Sequence, residues 1–67
     1  MRIISKSAKH FHGTHKGATL DIEREPDGRW YIIVTDRSGA HRYDGWAPET
    51  VRTLKEAKAE ALRGACL

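Results

Sequence analysis

A chain of 67 residues is long enough for one domain, and a domain of this size buries too little surface to enclose a large active site. Cys66 is the only cysteine, so no intramolecular disulfide can form, and a reducing, cytoplasmic setting is expected. The net charge of +3 is modest, and no stretch has the pattern of a signal peptide or the length of a membrane span. We therefore expect a small non-enzymatic module with no membrane partner and no small-molecule substrate.

The N-terminal segment, residues 1–18, is predicted to be a basic, histidine-rich arm or edge strand. Residues 1–5 could form a short strand. Residues 6–18 have two glycines and no apolar period, which predicts a loop or arm with Phe11 as its anchor on the core. Such an arm could attract nucleic acid, or it could simply be a solvated tail.

Residues 19–67 are predicted to form a β-β-β-α domain. Alternating apolar and acidic residues over 19–25 indicate a half-buried strand. Residues 29–35 are apolar, β-branched or aromatic between two turn sequences, which favours the central strand, and a third strand ends at Gly45. The expected fold class is α+β: a three-stranded antiparallel meander, with a possible short fourth N-terminal strand, packed against one C-terminal helix.

The turn sequences between the strands predict their register. Ile22 should lie opposite Ile32, and Val34 opposite Tyr43. The core face is then formed by Leu20, Ile22, Trp30, Ile32, Val34 and Tyr43. The opposite face, called the outer face below, carries Asp21, Glu23, Tyr31, Ile33, Thr35, Arg42 and Asp44. Trp46 is expected to fold back as an aromatic lid that adds bulk against the helix.

The last third of the chain is predicted to be helical. Thr53 and Glu56 have capping-box spacing, while Pro48 offers an earlier start, and Gly64 is the expected C-cap. One stripe at helical spacing should face the sheet, and its small residues allow a close approach: Val51, Leu54, Ala57, Ala61, Leu62 and Ala65.

A histidine cluster is the one candidate metal site. The spacing of His10, His12 and His15 could place imidazoles around a zinc ion, with His41 or Cys66 as a fourth ligand. The alternative is a solvated set of histidines that gain charge in mild acid. No serine, cysteine or carboxylate lies in a motif typical of a nucleophile or an acid–base pair, so no catalytic residue is expected.

Several short motifs resemble those of a known DNA-binding family. They are Gly28-x-Trp30, the turn 36–39, Trp46, and residues 53–57 at the predicted helix start. Over roughly residues 26–62 the chain resembles the AP2-like, arm-type DNA-binding domain of phage and transposon tyrosine integrases. That resemblance implies a three-stranded sheet with one helix, whose outer face enters the major groove. The corresponding positions here are Arg29, Tyr31, Ile33, Arg42 and Asp44. The chain also looks like a small phage or prophage accessory protein, many of which bind a host protein or nucleic acid.

Two binding functions follow from these patterns. The first is protein–protein interaction or self-association through the outer face, where Tyr31 and Ile33 form an apolar centre and Asp21, Glu23 and Arg42 a polar rim. Alternatively, the N-terminal arm covers that apolar pair. The second function is nucleic-acid binding, with phosphate contacts from Lys6, Lys9, Lys16, Arg29 and Arg42. Acidic residues on the outer face would repel phosphates, which favours a protein partner.

Overall fold

The chain folds as one five-stranded antiparallel sheet followed by one helix in a computed structural model, which describes residues 2–7 and 9–67. The strands lie in chain order β1-β2-β3-β4-β5. Their bounds, with that of the helix, are β1 Arg2–Lys6, β2 His10–His15, β3 Ala18–Arg24, β4 Trp30–Thr35, β5 His41–Trp46 and α1 Leu54–Gly64. The α+β class, the meander and the C-terminal helix are confirmed, but the sheet has five strands rather than three or four. Within the described residues, no helix has the length and apolar character that crossing a membrane requires.

The predicted loop or arm over residues 6–18 is wrong, because most of it belongs to the sheet. β2 lies between β1 and β3 and pairs with both. A two-residue turn at Lys16 and Gly17 joins β2 to β3, with φ of 51° and 83° as a type I′ hairpin requires. Phe11 is completely buried, as its role of anchor predicted, and β1 corresponds to the expected N-terminal strand. Of the predicted arm, Met1 and Ala8 lie outside the described residues.

The register predicted for the other three strands is confirmed. Ile22 pairs with Ile32, and Val34 pairs with Leu20 on one side and Tyr43 on the other. Alternation therefore sends every second side chain of these strands into one core. The fully or almost fully buried strand residues are Phe11, Ala18, Leu20, Ile22, Trp30, Ile32 and Val34. Burial of these apolar side chains is the main stabilising contribution to the fold.

The helix begins where the capping box predicted. Thr53 is the N-cap, and its Oγ1 accepts a hydrogen bond from the Glu56 backbone N–H at 3.2 Å and donates one to Glu56 Oε1 at 3.0 Å. The earlier start at Pro48 is wrong, because Pro48 begins a turn closed by the Val51 N–H.

The predicted C-cap, Gly64, is wrong by one residue, because Gly64 is the last residue of the helix. Ala65 is the C-cap, and Cys66 follows it in the left-handed region with φ of 59°. The N–H groups of Cys66 and Leu67 bond to the carbonyls of Arg63 and Leu62, which completes a Schellman motif. Cys66 thus occupies the position that glycine usually takes.

The helix packs closely on the sheet, as the alanine stripe predicted. Ala57, Ala61 and Ala65 are buried against the core face. Next to them, a Cβ atom at Gly64 would lie 2.4 Å from Cδ2 and Cε2 of the Tyr43 ring. Only a glycine lets the last helical turn approach β5 this closely, so the helix shields one face of the sheet with little side-chain bulk between them.

Candidate protein-binding face

The helix packs against the core face, which leaves the outer face of the sheet uncovered. Because side chains alternate along a strand, the strand register brings outer-face residues into rows that cross the sheet. From β5 towards β2, the rows are Trp46–Tyr31–Glu23–His10, then Asp44–Ile33–Asp21–His12, and then His41–Thr35–Thr19–Thr14. The predicted cover of Tyr31 and Ile33 by the N-terminal segment is wrong, since β1 and β2 extend the sheet sideways.

Three residues form what we call the aromatic cluster: Arg29, Tyr31 and Trp46. The rings of Tyr31 and Trp46 meet edge to face, with centroids 5.0 Å apart and planes at 86°. The Arg29 guanidinium carbon lies 4.7 Å from the centroid of the Trp46 ring. Such edge-to-face and cation–π contacts hold the side chains in one arrangement. Trp46 remains 45% exposed, so the expected aromatic lid against the helix is wrong.

Tyr31 is further fixed by a hydrogen bond along the same face. Its hydroxyl donates to Asp44 Oδ1 at 2.6 Å. This bond, together with partial burial and the negative charge of Asp44, raises the pKa of the Tyr31 phenol. The hydrogen bond therefore keeps the Asp44 carboxylate beside the cluster.

Carboxylates flank the apolar centre on both sides. Ile33 is half-buried between Asp44 on β5 and Asp21 on β3, and Tyr31 has Glu23 as its neighbour on β3. The outer face thus presents these three carboxylates together with the guanidinium of Arg29 at its end. A surface of this kind has an apolar and aromatic centre within a mainly acidic rim.

The predicted histidine cluster does not converge. His10 and His12 point to the outer face, where His10 Nε2 lies 3.0 Å from Asp21 Oδ1. His15 pairs with Ala18 and therefore points to the opposite side of the sheet. Among the described residues, no three histidine, cysteine or carboxylate side chains are grouped as a metal site would need, so the zinc prediction is wrong, including its fourth ligand His41 or Cys66.

Arg42 does not stand beside Asp44 on the outer face as expected. It lies in a β-bulge between the pairs Val34–Tyr43 and Thr35–His41, and its Nε donates to Asp36 Oδ2 at 2.9 Å. Hydrogen bonds from the Ser38 hydroxyl and Arg42, with those from the backbone of the turn, lower the pKa of Asp36 to about 2, although burial opposes the shift. Arg42 therefore stabilises the β4–β5 turn.

The basic residues proposed for phosphate contacts are dispersed. Lys9 and Lys16 flank β2 at its two ends, and Lys6 pairs with Phe11, on the core side of the edge strand β1. Of the five, Arg29 belongs to the aromatic cluster. The structure therefore brings together Asp21, Glu23, Tyr31 and Ile33 from the predicted protein-binding set, but it does not assemble the lysines.

Trp46 is the outer-face residue that the sequence interpretation missed. Its position follows from strand alternation, because residue 46 points to the same side of the sheet as Asp44, which is predicted to lie on the outer face. Treating Gly45 as the end of the strand hid that relation, whereas β5 continues through Trp46.

Comparison with family models, with curated proteins and with solved structures gives no significant match. The resemblance to integrase DNA-binding domains accordingly stays a prediction.

Proposed function

We propose that this protein is a non-enzymatic binding module that recognises another protein through its outer face. The observation that carries the proposal is the aromatic cluster, held in a fixed arrangement on the face that the helix leaves uncovered. Tryptophan, tyrosine and arginine are the residue types that dominate binding energy at protein interfaces. Because their side chains are already ordered by one another, less conformational entropy is lost on binding.

The charge of the outer face indicates the chemistry of the partner. Asp21, Glu23 and Asp44 favour a protein surface that offers an apolar patch to the aromatic cluster and lysine or arginine side chains to the rim. A second copy of the same face would bring these carboxylates towards each other. We therefore favour a different protein over self-association, in line with an accessory protein of phage or prophage type that acts on a host factor.

Nucleic-acid binding is the second candidate, because an aromatic pair beside an arginine can stack on bases. The three carboxylates around the pair oppose a polyanion, and the lysines that could offset them lie elsewhere. Nucleic-acid binding is therefore the less favoured of the two candidate functions. The salt dependence of binding distinguishes the two candidates, since nucleic-acid binding weakens steeply as the salt concentration rises.

The proposal is tested by affinity capture from a lysate of the source cells, with and without nuclease. Ile33→Asp adds a charge to the centre of the outer face, and Ile3→Asp is the matched control, since Ile3 is 53% exposed and pairs with Gly13, on the core side of β1. We expect the wild type and Ile3→Asp to retain the same protein after nuclease treatment, and Ile33→Asp to lose it while keeping its circular dichroism spectrum. Equal retention by both variants would refute the proposal, and loss on nuclease treatment alone would support nucleic acid instead.

A further inference from the structure

A groove opens at the end of the sheet next to the aromatic cluster. It lies where the β3–β4 turn meets the connection from β5 to the helix, and its volume is about 480 Å³. That volume is within the range of roughly 300–1,000 Å³ seen for ligand sites. Three arginines, Arg24, Arg29 and Arg52, line this groove, which we call the arginine groove.

None of these guanidinium groups is neutralised by an ion pair. The ion pairs within the described residues involve other basic side chains, namely His10, Arg42 and Arg63. Two acids also line the groove, Asp27 and Glu49, so three positive groups face two negative ones. Asp27 Oδ1 accepts a hydrogen bond from the Arg29 backbone N–H at 3.0 Å, which orients this carboxylate without removing its charge. The excess of arginines over acids therefore leaves the lining of the groove with a net positive charge.

One of the guanidinium groups has a neighbour that positions it without neutralising it, since Arg29 lies over the Trp46 ring. Arg24 lies beside the β3–β4 turn, where a Cβ atom on Gly28 would be 3.8 Å from Arg24 Nη2. Gly28 has φ of 90° and closes this turn. A planar guanidinium that is already positioned is suited to pair with a carboxylate.

The floor between the arginines is apolar, being formed by Ala47, Pro48 and Val51. Ala47 is itself 3% exposed and is fixed by its N–H bond to the Trp30 carbonyl. The groove thus combines a small apolar surface with positive groups.

We infer that the arginine groove binds an acidic peptide segment of a protein partner, with carboxylate side chains on the arginines and an apolar side chain on the floor. A peptide fits better than a nucleic acid, because an apolar side chain of a peptide can cover the floor of Ala47, Pro48 and Val51, whereas a phosphate backbone would place charge on that apolar surface. The groove shares Arg29 with the aromatic cluster, but Arg24 and Arg52 belong to the groove alone, so tests on these two can fail while the outer-face proposal stands.

The test uses the full chain labelled with ¹⁵N and the acetylated, amidated peptide Gly-Glu-Leu-Glu-Gly. We expect the amide signals of Gly28 and Arg52 and the Nε–H signal of Arg24 to shift, with a dissociation constant of about 1 mM. The matched peptide Gly-Gln-Leu-Gln-Gly should bind at least about fivefold more weakly, since exposed ion pairs each contribute a small but measurable part of the affinity.

Two variants test the assignment to these side chains. Arg24→Gln and Arg52→Gln should each weaken binding about two- to fivefold while the remaining spectrum is unchanged. Arg37→Gln removes the same charge at the other end of the sheet and should leave binding unaltered. The inference is overturned if the glutamine peptide binds as tightly as the glutamate peptide, or if Arg37→Gln weakens binding as much as the groove variants. It is also overturned if neither peptide shifts the signals at a concentration about 10-fold above the expected dissociation constant. A hexathymidine oligonucleotide that shifts the same signals at lower concentration would overturn it in favour of nucleic acid.

Discussion

Because the helix approaches β5 so closely, we expect replacement of Gly64 by alanine to destabilise the protein, although this substitution usually stabilises a helix. Gly64 is exposed and lies in the last helical turn, where replacing glycine by alanine ordinarily stabilises a helix by about 0.5–1 kcal/mol. Here the added Cβ would lie 2.4 Å from two carbon atoms of the Tyr43 ring. That ring cannot move away freely, because it packs against the core and its hydroxyl donates to Glu60 Oε2 at 2.9 Å.

Overpacking of this kind costs about 1–3 kcal/mol, which exceeds the gain in helix propensity. Gly64→Ala should therefore lower the free energy of unfolding by about 1 kcal/mol, or the midpoint temperature by roughly 4–8 °C for a domain of this size. Urea and thermal unfolding followed by circular dichroism measure both. In a Tyr43→Val background the ring is absent, and the same Gly64→Ala change should become neutral or stabilising. A stabilising effect in the wild-type background would refute the proposed contact.

Three further predictions concern the fold. Phe11→Ala should cost about 3–5 kcal/mol, a large fraction of the stability of a small domain, whereas an N-terminal arm would tolerate the change. Urea unfolding followed by far-ultraviolet circular dichroism decides between the two. Cys66→Gly should stabilise the protein by about 0.4–1 kcal/mol in urea unfolding, because Cys66 occupies a left-handed position, and a loss of stability would contradict the Schellman assignment. Since the pKa of Asp36 is lowered from 3.8 to about 2, its carboxylate contributes stability that is fully present above pH 4 and is lost as the pH falls towards 2. The difference in midpoint temperature between wild type and Asp36→Asn should accordingly shrink from pH 5 to pH 2, and a constant difference would exclude this role.

The part of the fold that could be predicted from sequence is the part where local signals agree. In β3 and β4, strict alternation, turn residues and β-branched side chains all favour the same register, and Ile22 does lie opposite Ile32. The helix start was equally clear, since Thr53 and Glu56 satisfy each other's hydrogen bonds without help from the rest of the protein.

β2 could not be recognised from apolar periodicity, because its core-facing residues are Phe11, Gly13 and His15 and only the first is a large apolar side chain. Its burial depends on cover from elsewhere: the Lys58 ammonium lies 5.1 Å from the centroid of the Phe11 ring. The Lys16-Gly17 pair was the available signal, since a two-residue turn ending in glycine is typical of hairpins.

Part of the candidate site could be predicted from sequence, because strand alternation determines which face of the sheet a residue occupies. Strand alternation is enough to place Tyr31, Ile33 and Asp21 on one face, and the structure does so. The bulge that removes Arg42 from that face depends on its ion pair with Asp36 and on the geometry of the turn, neither of which alternation can encode.

The most direct test of the proposed function is the effect of Trp46→Ala on the affinity for the protein captured from the lysate, measured by isothermal titration calorimetry. An aromatic residue at the centre of an interface contributes about 2 kcal/mol or more, so the dissociation constant should rise about 30-fold while the circular dichroism spectrum of the free protein is unchanged. A dissociation constant within twofold of the wild-type value would show that the aromatic cluster is not the binding centre.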